Sequence, residues 1–379
     1  MKKITRRQRH RDIRHGILIR RGHHLRKHCG GVSSRQEERP ISSINSWIDN
    51  YKKKHLNATI AKRKRITLHL PEEMNFCDNY EVTVLHILAI RKLSNSRKSG
   101  NKSYRLVSVN FDNLRTISTS AALVLTAELS KWDDAIRQQL KPMIDNWDAE
   151  ILKQFIDLGF FELFRNSSLV YDKSEGSSPI NLVKYIKGQC GDNSKPRVLK
   201  EKIIEIIGEK VCKWNFLHGG LTEAITNVSH HAYPNSHEFS KEDKNWYLTG
   251  SYNDATKELK IVFYDQGIGI PKSLPASDIW EKVLSVLSGI SSVERKRDEV
   301  LLKAAVELER TSTKQSDRGK GLQDLLEFIR QRKDGYLSIL SLKGLFKYSI
   351  SNGKEEIKTE HFDQPVCGTL IIWSATLHE

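Results

Sequence analysis

The stretch LTEAITNVSHHAY, residues 221–233, constrains this chain more than any other. Leu221, Ala224, Ile225, Val228 and Ala232 recur at three- and four-residue spacing, which predicts one helix with an apolar stripe. Glu223, Asn227 and His231 are four apart and so stack on one face. A carboxylate, a carboxamide and an imidazole beside a buried face are costly unless they bind something. A carboxylate in that place can orient or deprotonate a water. An amide oxygen one turn on can hold Mg²⁺, a hard cation that favours oxygen ligands. The plainer alternative is a helix with an ordinary polar side.

The residues downstream give that helix its context. Residues 246–252 and 259–264 read as a strand pair joined by the turn Asn253-Asp254. The second strand runs into Asp265, Gly267 and Gly269. A carboxylate at a strand end can accept from an exocyclic amine, and glycines let backbone approach a ligand closely. Residues 273–318 are long and charged, with helical stretches at 279–287 and 300–308. Arg318, Gly319, Lys320, Gly321 and Leu322 then open a helix that runs to residue 330. Free N–H groups at the positive end of a helix form a phosphate site, to which Arg318 and Lys320 add charge. Alternatively, the two glycines only shape a turn. Strands are expected at 336–342, 345–350 and 368–373, with Asn352-Gly353 as a turn. Thr369 begins the last strand, where its hydroxyl can face a base pocket.

The first half reads differently. The tail from Met1 to Gly31 holds eleven Lys or Arg and one acid, a charge of +10 out of +16 for the chain. With few apolar residues it is expected to be disordered alone and suits either nucleic-acid phosphate, an acidic partner or plain solvation. A helix, a second basic cluster (Lys62, Arg63, Lys64, Arg65) and a strand at 66–70 follow. Helices are expected at 80–93, 121–132 and 147–158, with a strand at 104–111 and an apolar plug of Phe160, Phe161 and Phe164. Residues 165–196, polar around a helix-like 182–186, read as a linker or surface excursion, and 198–216 as an amphipathic helix. The boundaries are therefore 1–40, 41–165, 166–197 and 198–379. No apolar run approaches a membrane span. Five scattered cysteines without a CxxC pair suggest free thiols in a cytoplasmic setting.

Taken together, ExxxNxxxHAY, DxGxGI, a long variable segment, RGKGL and a final GT strand resemble the GHKL ATPase superfamily, and most closely its anti-sigma-factor serine kinases. The resemblance spans about residues 198–378. It implies an α+β chain whose C-terminal part is a Bergerat-type ATP-binding sandwich of helices on a mixed sheet, with ATP and Mg²⁺ as ligands. By position, Asn227 coordinates Mg²⁺, Glu223 is the catalytic base and His231 supports the phosphate side. Asp265 and Thr369 take the adenine, Gly267 and Gly269 border it, and Gly319, Gly321 and Leu322 lie at the phosphates. A second resemblance, over residues 66–164, is to the STAS domain. It implies a smaller α/β domain and a phosphoacceptor at Thr119, unless Ser118, Thr119 and Ser120 only cap a helix. Three functions follow as expectations. One is an ATP-hydrolysing switch, its 273–318 lid ordered by ATP, that regulates a protein partner. The others are a serine/threonine kinase of the anti-sigma type, and a non-catalytic nucleotide-binding module in a nucleic-acid-associated complex. The oligomeric state is left open.

Overall fold

The two β-strands that lead to Asp265 carry unbroken apolar runs, Trp246-Tyr247-Leu248 and Ile261-Val262-Phe263-Tyr264, so a sheet built on them needs cover on both faces. In the computed structural model that is how the chain folds. The structure describes residues 42–96, 103–165, 178–190, 192, 194–208, 211–235, 237, 239, 244–277, 279–311 and 321–377. The basic tail lies outside them, as do Arg318, Gly319 and Lys320.

In chain order the first half runs α1 (Ser42–Lys52), β1 (Ala58–Ala61), β2 (Arg65–His69), β3 (Glu73–Met74), α2 (Tyr80–Ser96), β4 (Arg105–Asn110), β5 (Thr116–Ile117), α3 (Thr119–Ser130), α4 (Asp134–Gln139) and α5 (Ala149–Asp157). Strands β1, β2 and β4 form a sheet in which β1 and β2 pair antiparallel and β2 and β4 parallel. Helix α3 is buried at every position from Thr119 to Leu129, as an all-round apolar sequence requires. It starts where Ser118, in extended backbone, accepts the Ala121 N–H at 3.2 Å. Helix α5 is capped by Asp148 and stops at Gly159, whose φ is +80°. Phe160, Phe161 and Phe164 are buried after it, and the Phe160 ring packs against Phe111, Trp147 and Phe155.

The second half is β6 (Ile180–Leu182), β7 (Ile186–Gln189), α6 (Lys195–Ile207), α7 (Trp214–Asn227), β8 (Asn245–Asn253), β9 (Glu258–Asp265), α8 (Ile270–Ser273), α9 (Trp280–Val286), α10 (Asp298–Thr311), α11 (Gly321–Arg332), β10 (Gly335–Ser351) and β11 (Lys354–Thr376). Its six-stranded sheet has the order β10-β11-β9-β8-β6, with β7 also on β8. The whole is α+β. All described pairings of the six-stranded sheet are antiparallel, so parallel pairing belongs to the first half.

Alternation along the strands sorts side chains between two cores. Trp246, Leu248, Ile261, Phe263, Ile371 and Trp373 face helices α6, α7, α10 and α11. Tyr247, Val262, Tyr264, Leu370 and Ile372 face the first half and share its core. The result is three layers with the sheet in the middle. Where the two halves meet, hydroxyls pair across the boundary: Thr119 with Ser251 at 2.7 Å and Ser130 with Tyr247 at 2.8 Å. Tyr80 stacks on Phe362 with ring centroids 3.6 Å apart.

Three expectations change. Residues 180–189 are two strands on the edge of β8, because Ile180, Leu182 and Ile186 meet an open row of strand donors and acceptors. The expected helix 198–216 is two helices, since Gly208 with φ +80° closes α6 and α7 begins at Trp214. Part of the expected lid 273–318 is core, because Val283, Leu287, Leu301, Leu302, Ala304, Ala305 and Val306 are buried, while residues 312–318 lie outside the described ones. Among the described residues no helix is long and apolar enough to cross a membrane.

Candidate functional site

Helix α7 presents Glu223 and Asn227 on one half-buried face, and the carboxamide hydrogen-bonds the carboxylate. After Asn227 the winding widens into a π-turn, Val228–Ala232. The four-residue register of the face therefore ends at Asn227, and the single helix expected to residue 233 does not hold. Turns of this kind are rare and frequent at functional sites. His231 lies in it half-buried, its ring 5.9 Å from the exposed His230. Burial pushes the Glu223 carboxyl above its ordinary range; Asn227 opposes that and Asp324 adds to it. The negative charge of Asp324 on α11 thus adds to that of Glu223 across the α7–α11 contact, which favours a cation there.

Asp324 is near because α7 and α11 pack closely. A Cβ on Gly220 would stand 3.1 Å from the Asp324 carbonyl oxygen and 3.3 Å from Leu325 Cα. The Trp373 indole donates to the Leu325 carbonyl at 2.8 Å and ties α11 to β11. The first turn of α11, at Asp324, is thereby set beside the Glu223 face.

The second element is the loop after β9. Asp265 is 4 % exposed and pairs in register with Thr369 of β11. Its carboxylate accepts the Gly267 N–H at 2.8 Å and hydrogen bonds from Thr369. Even so, burial pushes it up to about 7. These partners leave acceptor capacity over, because a carboxylate offers about four lone-pair positions, and Asp265 forms no ion pair among the described residues. The loop is stitched to the π-turn. The Ile268 N–H donates to the Ala232 carbonyl at 2.9 Å, and Tyr233 accepts the Gln266 N–H while donating to the Asn245 carbonyl. Gly267 is glycine for that contact, since a Cβ there would stand 2.4 Å from the Ala232 oxygen. Gly368, with φ +73°, allows β11 to cross Asp265 closely; its Cβ would meet the Asp265 carbonyl oxygen at 2.1 Å.

Three neighbours of this loop escaped the sequence reading. Ser341 Oγ accepts the Ile270 N–H and lies 3.0 Å from both Thr369 Oγ1 and the Gly368 oxygen. It sits where the β10–β11 register shifts, a bulge that composition does not announce. Gln266 donates from its amide to Glu128 of α3 at 2.7 Å, and Glu128 also accepts from Tyr264 at 3.3 Å and pairs with Arg91. A signal for Glu128 did exist: it is the one acid inside the apolar helix TSAALVLTAELS, and a lone buried carboxylate needs partners. Thr119 is 7 % exposed at the first turn of α3, with Ser118 as the cap and Ser251 on its hydroxyl. As folded, the hydroxyl faces the sheet and not solvent.

Glu223, Asn227, the π-turn, Asp265, Thr369 and the start of α11 thus belong to one connected unit. Among the described residues no group of three or more His, Cys, Asp or Glu could hold a metal on its own. Comparison of the chain with protein-family models and with curated proteins finds no match.

Proposed function

We propose that the second half binds an adenosine nucleotide with Mg²⁺ and hydrolyses ATP as a switch acting on a regulated protein partner, in the manner of GHKL ATPases. The observation that carries the reading is Asp265: a buried carboxylate at a strand end, opposite a threonine hydroxyl, with acceptor capacity left and its proton held to about pH 7. An amine donor such as the adenine N6 group relieves that burial cost, because a hydrogen bond to the charged form favours it.

The residues fit the group. Asp265 and Thr369 would take the base, and Asn227 would give Mg²⁺ one hard oxygen ligand, the phosphates supplying others. The start of α11 offers N–H groups to phosphate. When bound, the metal and triphosphate supply the electrophile and the leaving group. Glu223 holds and moves the proton. Its raised affinity for one suits a base that must take it from an attacking water near neutral pH. The packing of Gly267 on Ala232 fixes the distance between the base-binding and phosphate-binding ends. The buried Thr119 hydroxyl favours hydrolysis over transfer to an acceptor within the chain.

Calorimetry of the full chain with ATP and Mg²⁺ tests the reading, with Asp265→Asn as the comparison. Binding to the parent and much weaker binding to the variant is the expected result; no binding to the parent sinks it. Glu223→Ala should keep binding and lose phosphate release, and equal turnover would remove Glu223 from the base role.

A further inference from the structure

The excess of positive charge in this chain is confined to two places. Residues 1–31 carry +10 and residues 52–65 carry +7, while residues 66–379 are neutral overall. The second group is folded. It consists of Lys52, Lys53 and Lys54 at the end of α1, then Lys62, Arg63, Lys64 and Arg65 at the tip of the β1–β2 hairpin, with no acid among residues 52–65. All seven are exposed.

The tip is built against its own stability. Arg63 and Lys64 both have left-handed backbone, φ 59° and 57°. Turns of that shape prefer Asn and Gly, which reach positive φ with less strain. Arg65 stands directly opposite Arg105 of β4, and like charges in register repel. The side chains of Lys62, Arg63, Arg65 and Arg105 make no hydrogen bond or ion pair among the described residues. Local folding explains none of these choices, whereas a polyanion does.

We propose that the β1–β2 hairpin tip, with Arg105 beside it, is a binding site for the phosphate backbone of nucleic acid. A two-stranded ribbon fits the major groove of a duplex, and cations on it displace counterions from phosphate. A protein partner is a poorer fit, since protein interfaces are depleted in Lys, which supplies five of these seven cations, and their Arg anchors sit among buried aromatic and apolar ones. Among the described residues the large exposed apolar side chains are Met143, Val198, Val286, Val293 and Ile357, and none lies on this hairpin. A membrane surface is a poorer fit for the same reason, because peripheral binding couples charge to apolar insertion. The site is independent of the nucleotide reading and of the tail.

The test is a full-length variant carrying Lys62→Gln, Arg63→Asn, Lys64→Gly and Arg65→Thr, titrated with a short DNA duplex of arbitrary sequence and with single-stranded RNA at several salt concentrations. Asn-Gly suits the left-handed turn, so the variant should melt at the same temperature as the parent or higher. Its affinity should nonetheless fall by about tenfold or more, and the slope of log K against log salt should be shallower by roughly 3 units, near 0.9 per lost duplex phosphate contact. Deletion of residues 1–31 in parallel should leave the hairpin dependence in place. Unchanged affinity and slope in a folded hairpin variant would overturn the proposal. So would loss of binding to anionic phospholipid vesicles with nucleic-acid binding intact, or a parent chain that binds no nucleic acid at low salt.

Discussion

Replacing Asp265 with Asn removes a charge that the fold holds at a cost. The carboxyl is moved from 3.8 to about 7 by burial, and at 1.36 kcal/mol per unit that is about 4 kcal/mol. The sign follows from linkage. A carboxyl with a raised native pKa binds its proton more tightly folded than unfolded, so stability falls as pH rises from about 4 to 7 and the full cost is present above 7. Asparagine carries no such term. It does place an amide near the Thr369 N–H, which adds a penalty independent of pH. The informative quantity is therefore the change with pH. Relative to the parent, Asp265→Asn should gain stability by about 2–3 kcal/mol more at about pH 8 than at about pH 5. Urea denaturation of both proteins at a series of pH values reads this directly. A stability difference that stays flat across that range would show that the carboxylate is not desolvated as described. Saturating nucleotide should also flatten the parent's profile, because a donor on the carboxylate restores its ordinary affinity for the proton.

The buried Arg91–Glu128 ion pair of the first half, against which Tyr264 and Gln266 lie, gives a second outcome. Glu128→Ala leaves the Arg91 guanidinium uncompensated beside the sheet and should cost about 3–5 kcal/mol, while the double change Arg91→Met with Glu128→Met should cost little. Chemical denaturation distinguishes them, and equal losses would mean that packing, not charge, decides. Gly368→Ala forces a Cβ against the Asp265 carbonyl at positive φ and should cost about 2–4 kcal/mol; a thermal shift near zero would contradict the close crossing. Phe160→Ala opens the aromatic plug and should cost about 3–5 kcal/mol, read as a lowered melting temperature.

Local pattern made much of this architecture legible. The runs that became α2, β4, α3, α5, β8 and β9 all carry strong periodicity or strand formers, and Asn352-Gly353 forms the turn that its sequence announces. Glu223 and Asn227 share a face because four residues make nearly one helical turn. The features that local pattern did not disclose depend on distant partners. The π-turn is set by the contacts of Ala232 and Tyr233 with the Asp265 loop. Strands β6 and β7 are short and exist because β8 offers an edge. Ser341, Gln266 and Glu128 are ordinary polar residues until β10, β9 and α3 are brought together.

Strand β11 comes after every other described strand in the chain, yet it lies inside the sheet between β10 and β9. During synthesis, therefore, the β8–β9 hairpin and the first half emerge with nothing to complete the layer between them. Tyr264 and Val262 would lack their cross-strand neighbours Leu370 and Ile372 until β11 arrives. Pairings this remote in sequence form slowly, and nascent chains in that state invite aggregation. Production of this protein should accordingly depend on chaperone supply and growth temperature more than its final stability suggests, and shortening the chain before β11 should yield insoluble material.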